Sequence, residues 1–215
     1  MVVLVLLVTL GLQVSISYST TFGSLDSFIR GLKIGPFAVG WLVLRVFLIG
    51  ITIVLWILNR KRALFRTIIL VNGMLTLGLI VNMTTLMGVL SGFTSQGVKL
   101  LLVDVVLMAI TNILIFSIWY WVIDPPGIED SPHADRAWDF LFPQRGSRLP
   151  HYETWLPRYT DYLYLAFTTS FAFSPTDTMP LTRRAKLLML LQSSISIITL
   201  TGIAGSAINI LAGKA

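Results

Sequence analysis

Cysteine is absent from the 215 residues, which excludes disulfides, thiolate chemistry and cysteine-ligated metals without fixing a redox compartment. Histidine is almost absent: His133 and His151 are the two present. Both fall in one polar loop, where with Asp135 and Glu153 they form either a metal site or solvated loop positions. Charge is scarce too, at 12% of residues against 55% hydrophobic, with a mean hydropathy of +0.81. No soluble globular domain of this length has that balance. There is no phosphate-binding glycine loop, no nucleophile with a paired base and no histidine within an apolar run, so the chain reads as a non-enzyme without cofactor or metal. Acidic residues are outnumbered by basic ones, 10 to 16, for a net charge of +6. The basic residues gather in short clusters between apolar runs, a pattern that signals membrane topology and not nucleic acid.

What the sequence has in abundance is apolar length, and about 20 apolar residues cross a bilayer. Runs at Val2–Ile16, Phe37–Leu58, Thr67–Leu90, Val98–Ile123 and Arg184–Leu211 predict five spanning helices. No Lys or Arg precedes the first run, and SISYS is a poor cleavage site, so the first helix is expected to be uncleaved. NRKRALFR, residues 59 to 66, is the strongest cytoplasmic marker. It puts the amino terminus in the cytoplasm of a multi-pass protein of the cell (inner) membrane. The organisation is then a four-helix region over 1–123, a Pro-rich polar loop over 124–160, and a short helix, SPTDTMP turn and final helix over 161–215. Within the loop, HADRAWDFLF either lies along the membrane surface through Trp138, Leu141 and Phe142 or folds over the helix ends.

The short helix, Tyr162 to Phe173 with Thr160 and Asp161 at its start, is too short to span hydrocarbon, and prolines keep SPTDTMP from continuing it. It either re-enters the membrane or crosses in a stretched form. The positive-inside rule favours re-entry, because Arg183, Arg184 and Lys186 then face the cytoplasm. The fold class is therefore all-α: a polytopic membrane protein of five transmembrane helices plus a short re-entrant, pore-loop-like helix.

NILIFSIWYWVID, WDFLFPQ, DYLYLAFT, AFSPTDTMPLT and RAKLLMLLQS resemble, in this order, an uncharacterised family of bacterial multi-pass inner-membrane proteins. A weaker resemblance is to the pore of potassium channels. Thr168 and Thr169 stand where such channels carry paired pore-helix threonines, and Asp177-Thr178-Met179-Pro180-Leu181-Thr182 leads into an apolar helix. The Thr-x-Gly-Tyr-Gly filter is missing, replaced by Ala172-Phe173-Ser174-Pro175-Thr176, so a carbonyl filter is not expected. The channel resemblance implies an oligomeric, homo-oligomeric pore for a monovalent cation, with Ser174, Thr176, Thr178 and Asp177 as available ligands. Potassium channels bring this loop in from outside, whereas the charge bias brings it in from the cytoplasm. The alternative for Asp177 is a cap for the turn or the last helix, or an offset for Arg183 and Arg184.

Three further features carry expectations. Arg45 and Asp104 lie at similar depth in helices two and four and pair or snorkel separately; a paired site would suit a small transporter or sensor. Gln192, Ser196, Thr199 and Ser206, with Asn209 close by, form a polar line on the last helix that is a packing face or a pore lining. Asn72, Asn82 and Asn112 read as interhelical hydrogen-bond partners. A third possibility is a structural membrane subunit that binds a partner through the long loop.

Overall fold

The computed structural model describes residues 1–22, 36–89, 95–124, 138–146, 152, 155–172, 177–203, 205 and 212. Six α-helices dominate these residues: α1 (Val2–Phe22), α2 (Pro36–Ile57), α3 (Lys61–Val89), α4 (Ser95–Ile123), α5 (Tyr159–Ala172) and α6 (Arg183–Ile197). The last continues as a π-helical stretch, Ile198–Ile203. Two two-residue strands, β1 (Phe140–Leu141) and β2 (Met179–Pro180), pair antiparallel. Lys61–Met87, Leu102–Ile123 and Arg183–Gly202 are long and apolar enough to cross a membrane, and Val2–Ile16 and Val46–Ile57 are shorter apolar helical stretches. The protein is thus a mostly helical membrane protein.

The chain divides into two compact units. One holds Val3–Thr111 and Ile197–Ala215. Its core is built from helical stripes: Leu6, Thr9, Gln13 and Ile16 on α1, and Ile68, Val71, Leu75, Leu79 and Leu86 on α3, are buried at spacings of three, four and seven. Leu70, Leu77 and Val81, on the other side of α3, are more than half exposed, as lipid-facing residues are. Gln13 donates from Nε2 to the Leu75 carbonyl at 2.6 Å, fixing α1 on α3.

The helix ends show where local sequence dictates structure. α3 begins at Lys61, six residues before the predicted start, because the chain reverses abruptly at Asn59. There φ is 52°, the left-handed region that Asn tolerates better than most residues. The Arg60 amide donates to the Leu55 carbonyl at 3.1 Å and the Asn59 amide to Trp56 at 3.2 Å, the paired bonds of a Schellman motif with Asn in place of Gly. Arg60 then accepts from the Leu64 amide at 2.9 Å and opens α3, and the straight-chain Lys61, Arg62 and Arg66 suit the helix that follows. α5 also starts early, at Tyr159, since Asp161 Oδ2 accepts from the Arg158 amide at 2.6 Å, the reciprocal half of a capping box.

The other unit comprises Met1–Val2 and Asn112–Ser196. Its core contains Ile115, Phe116, Tyr120, Phe140, Tyr162 and Ala166, all essentially inaccessible. Trp138 to Phe142, within the HADRAWDFLF stretch, is not a surface helix: Phe140–Leu141 is extended and paired to β2. Phe140 meets Tyr120 edge-on at 5.1 Å and Phe142 meets Tyr162 at 5.5 Å. Two alternating aromatics thus bury this part of the loop over the helices, which a polar reading of the whole loop overlooks.

The Asn59 turn predicts a specific response. Asn59→Val should destabilise the protein by about 1–2 kcal/mol, the cost of a β-branched side chain at positive φ, while Asn59→Gly should be neutral or slightly stabilising. Thermal unfolding of the purified variants in detergent checks this.

Candidate functional site

The most concentrated polar chemistry among the described residues lies at the carboxyl end of α4. Asp124 follows the last turn and is fully buried. Its Oδ1 accepts from the Asp139 amide at 2.9 Å, and its Oδ2 accepts from Arg145 Nη2 at 3.1 Å and from the Tyr162 hydroxyl at 2.6 Å. Arg145, only 2% exposed, also donates from Nη1 to the Phe140 carbonyl at 2.7 Å and stacks over the Trp138 ring at 4.3 Å. Cation–π contact and ion pair together hold this guanidinium out of water.

Asp139, equally buried, engages Arg184 in a fork: Nε reaches Oδ1 at 2.6 Å and Nη2 reaches Oδ2. Such bidentate pairs are the strong form of the interaction. Arg184 Nη2 also donates to the Ile123 carbonyl at 3.2 Å, satisfying one of the open carbonyls at the end of α4. The Thr182 hydroxyl donates to Asp139 Oδ1 and accepts from the Ala185 amide at 3.3 Å, so Thr182 is the N-cap of α6. Two carboxylates and two guanidiniums thus balance in charge. Burial, and then the neighbouring Asp124 charge, push the Tyr162 phenol well above its ordinary range, which keeps it a donor. Burial raises Tyr159 to about 12 against the opposing effect of its hydrogen bond with the Ser117 hydroxyl, 2.6 Å away.

A second polar belt lies deeper along the same helices. Gln192 accepts from the Tyr120 hydroxyl and donates from Nε2 to the Ala166 carbonyl and Ser170 Oγ, both at 2.7 Å. Asn112 Nδ2 donates to Ser196 Oγ at 2.8 Å and to the Gln192 carbonyl at 3.3 Å. These contacts give a register. Arg184 sits level with Ile123, and Ser196, twelve residues on, sits level with Asn112, so α4 and α6 run antiparallel over about 18 Å. α5 starts level with Asp124 through Tyr162 and reaches Gln192 through Ala166 and Ser170, alongside α6 and in the same direction. The chain then comes back: Met179–Pro180 pairs with Phe140–Leu141, and the Leu181 amide donates to the Asp139 carbonyl at 2.9 Å. Both ends of the segment Tyr159–Thr182 are therefore fixed at the same end of α4.

The residues singled out from the sequence fall as follows. Thr168 and Thr169 direct their hydroxyls to carbonyls of their own helix, Thr168 to Tyr164 and Leu165 at 3.1 and 3.0 Å, Thr169 to Leu165 at 2.7 Å. Asp177 is exposed, and among the described residues no hydrogen bond or ion pair reaches it; Thr178 beside it is buried. Arg184 is offset by Asp139 and the last helix is capped by Thr182, so neither task falls to Asp177. Gln192 and Ser196 face α4 and α5 within the chain, and Thr199 is buried in the π-helical stretch. Asp104 is buried and engaged. The Arg45 side chain, Ser174, Thr176, Ser206, Asn209 and the His133, Asp135, His151 and Glu153 set lie outside the described residues. Among the described residues no cluster of His, Asp or Glu has the makings of a metal site.

Asp124, Asp139 and Arg145 escaped the sequence reading, and Tyr162 and Arg184 entered it only as a helix start and a topology signal. A buried carboxylate directly after an apolar span, and an Asp inside an aromatic run, are signals that such residues have partners. Comparison with known protein families, with characterised proteins and with solved structures finds no match to this chain.

Since Asp124 and Arg145 are both buried, Asp124→Asn should destabilise the protein by about 3–5 kcal/mol by stranding the guanidinium. The double change with Arg145→Met should cost less than the sum of the single changes, with a coupling on the order of 1–3 kcal/mol. Additive losses in a double-mutant unfolding cycle would remove the pair from the account.

Proposed function

We propose that the chain is a five-span inner-membrane protein whose functional element is a re-entrant segment, Tyr159–Thr182, and that in a homo-oligomer this segment forms the mouth of a pore for monovalent cations. The observation that carries the reading is the fixing of both ends of the segment at one end of α4. An element needs that arrangement if it is to enter a bilayer and return to the face it came from. α5 has 14 residues, about 21 Å, short of the roughly 30 Å of hydrocarbon. The polar belt around Gln192 ties α5 to α6 and α6 to α4 along that length.

The cytoplasmic assignment of Arg60 to Arg66 puts the amino terminus, the Asp124 end of α4 and the mouth of the segment on that same side. Asp177 stands two residues before β2, near the mouth instead of at depth. A ring of such carboxylates, one per protomer, raises the local cation concentration without contributing to packing. The resemblance to potassium channels extends to the order of helix, return chain and acidic mouth and stops at the filter. Gln192 and Ser196 are engaged inside the chain, so these two positions of the polar line of α6 serve packing. That same engagement favours one second reading, a structural membrane subunit without a pore.

Cation flux into proteoliposomes separates the two. The wild type should conduct above empty liposomes, and Asp177→Asn should reduce flux on the order of threefold to tenfold with an unchanged melting temperature. Wild-type liposomes that stay tight across pH and voltage would favour the structural subunit, and joint loss of flux and stability would assign Asp177 to the fold.

A further inference from the structure

We propose that the turn joining α2 to α3 is a binding site for anionic phospholipid headgroups. Arg60, Lys61, Arg62 and Arg66 are all exposed. Among the described residues, no ion pair reaches Arg60, Arg62 or Arg66. α3 carries no acidic residue in its first turn. The placement is unfavourable for the helix taken alone. Cations in the first turn oppose its dipole, and Arg62 and Arg66, one turn apart on the same face, repel each other. Elsewhere in this chain arginines at a helix end are met by buried carboxylates; here the chain offers none among the described residues.

The neighbouring surface identifies the missing anion as a lipid. Val54, Trp56, Ile57 and Leu58, which lead into the turn, are 52–68% exposed. An exposed apolar surface, an indole among it, therefore lies directly before the arginines, and a molecule with both an acyl chain and an anionic headgroup meets the two together. Guanidinium forks match phosphate oxygens bidentately. The Schellman turn at Asn59 keeps the reversal to a few residues, so Arg60 stays next to the first turn of α3. A free inorganic phosphate would satisfy the arginines alone, whereas a phospholipid occupies both surfaces.

The test uses the full chain purified in a neutral detergent. Native mass spectrometry and thermal unfolding are recorded with added phosphatidylglycerol, phosphatidylcholine or inorganic phosphate, for the wild type and for the triple variant Arg60→Gln, Arg62→Gln, Arg66→Gln. Phosphatidylglycerol should bind the wild type in preference to phosphatidylcholine and raise its melting temperature. The triple variant should bind phosphatidylglycerol on the order of tenfold more weakly or worse. The corresponding triple lysine variant should keep part of the preference, since charge remains while the fork is lost. Inorganic phosphate at matched concentration should neither stabilise the protein nor displace the lipid. Should the triple glutamine variant fail to fold, Arg62→Gln and Arg66→Gln singly should each weaken phosphatidylglycerol binding. Equal binding of the two lipids, undiminished binding by the glutamine variants, or displacement by inorganic phosphate would each overturn the proposal.

Discussion

At the end of α4 a carboxylate that has left water must find its compensation within the protein, and the segments that compensate it are those that shape the whole unit. Asp124 receives the Asp139 amide, the Arg145 guanidinium and the Tyr162 hydroxyl. The first two donors come from one stretch of the loop and the third from α5. Asp139 in turn holds Arg184 and Thr182, so one helix end gathers the loop, the start of α5 and the start of α6. Burying a charge costs several kcal/mol unless it is paired and hydrogen-bonded. Because the four charges cancel and nearly every polar atom is engaged, the cluster specifies a unique arrangement of elements that are far apart in sequence. Its contribution is geometric definition more than raw stability.

From that fixed end the rest of the unit follows by register. Once Arg184 is anchored to Ile123, α6 runs back along α4 and brings Gln192 and Ser196 to Tyr120 and Asn112. Once Tyr162 is anchored to Asp124, α5 is set beside α6, and Ala166 and Ser170 meet Gln192. Between helices in a bilayer there is little hydrophobic drive, so side-chain hydrogen bonds of this kind, with close packing, position the helices. The two-stranded pairing of Phe140–Leu141 with Met179–Pro180 completes the return of the segment. Under the proposed topology, the energetically expensive groups sit at the membrane face, where water and lipid headgroups are near, and the neutral amides and hydroxyls lie deeper.

The apolar runs were legible because hydrocarbon thickness imposes a length on the sequence itself, and Lys61–Met87, Leu102–Ile123 and Arg183–Gly202 carry that length openly. Helix ends were legible only in part. Asp161 marks the start of α5 through its side chain, but the early start of α3 depends on Asn59 adopting positive φ, which Asn permits without requiring. The ion pairs were not legible, since a charge pattern names candidates without naming partners. Arg184 could be matched to Asp177, seven residues away, as readily as to Asp139, 45 residues away, and only the pairing of the loop strand with the return strand decides for the latter. Asn112, Tyr120, Asp124, Asp139, Tyr162, Arg184 and Gln192 come from segments far apart in sequence, and these segments meet in this one unit.

The central claim is that Tyr159–Thr182 leaves and re-enters one face of the membrane, and its most direct measurement is the sidedness of single cysteines in a chain that has none of its own. Cysteines introduced at Lys61, Ser147, Lys186 and Gln96 would be labelled with a membrane-impermeant thiol reagent from each side of the bilayer. The account predicts that positions 61, 147 and 186 label together from the cytoplasmic side and position 96 from the opposite side. Labelling of position 186 together with position 96 would mean that the segment crosses the membrane, and would contradict it.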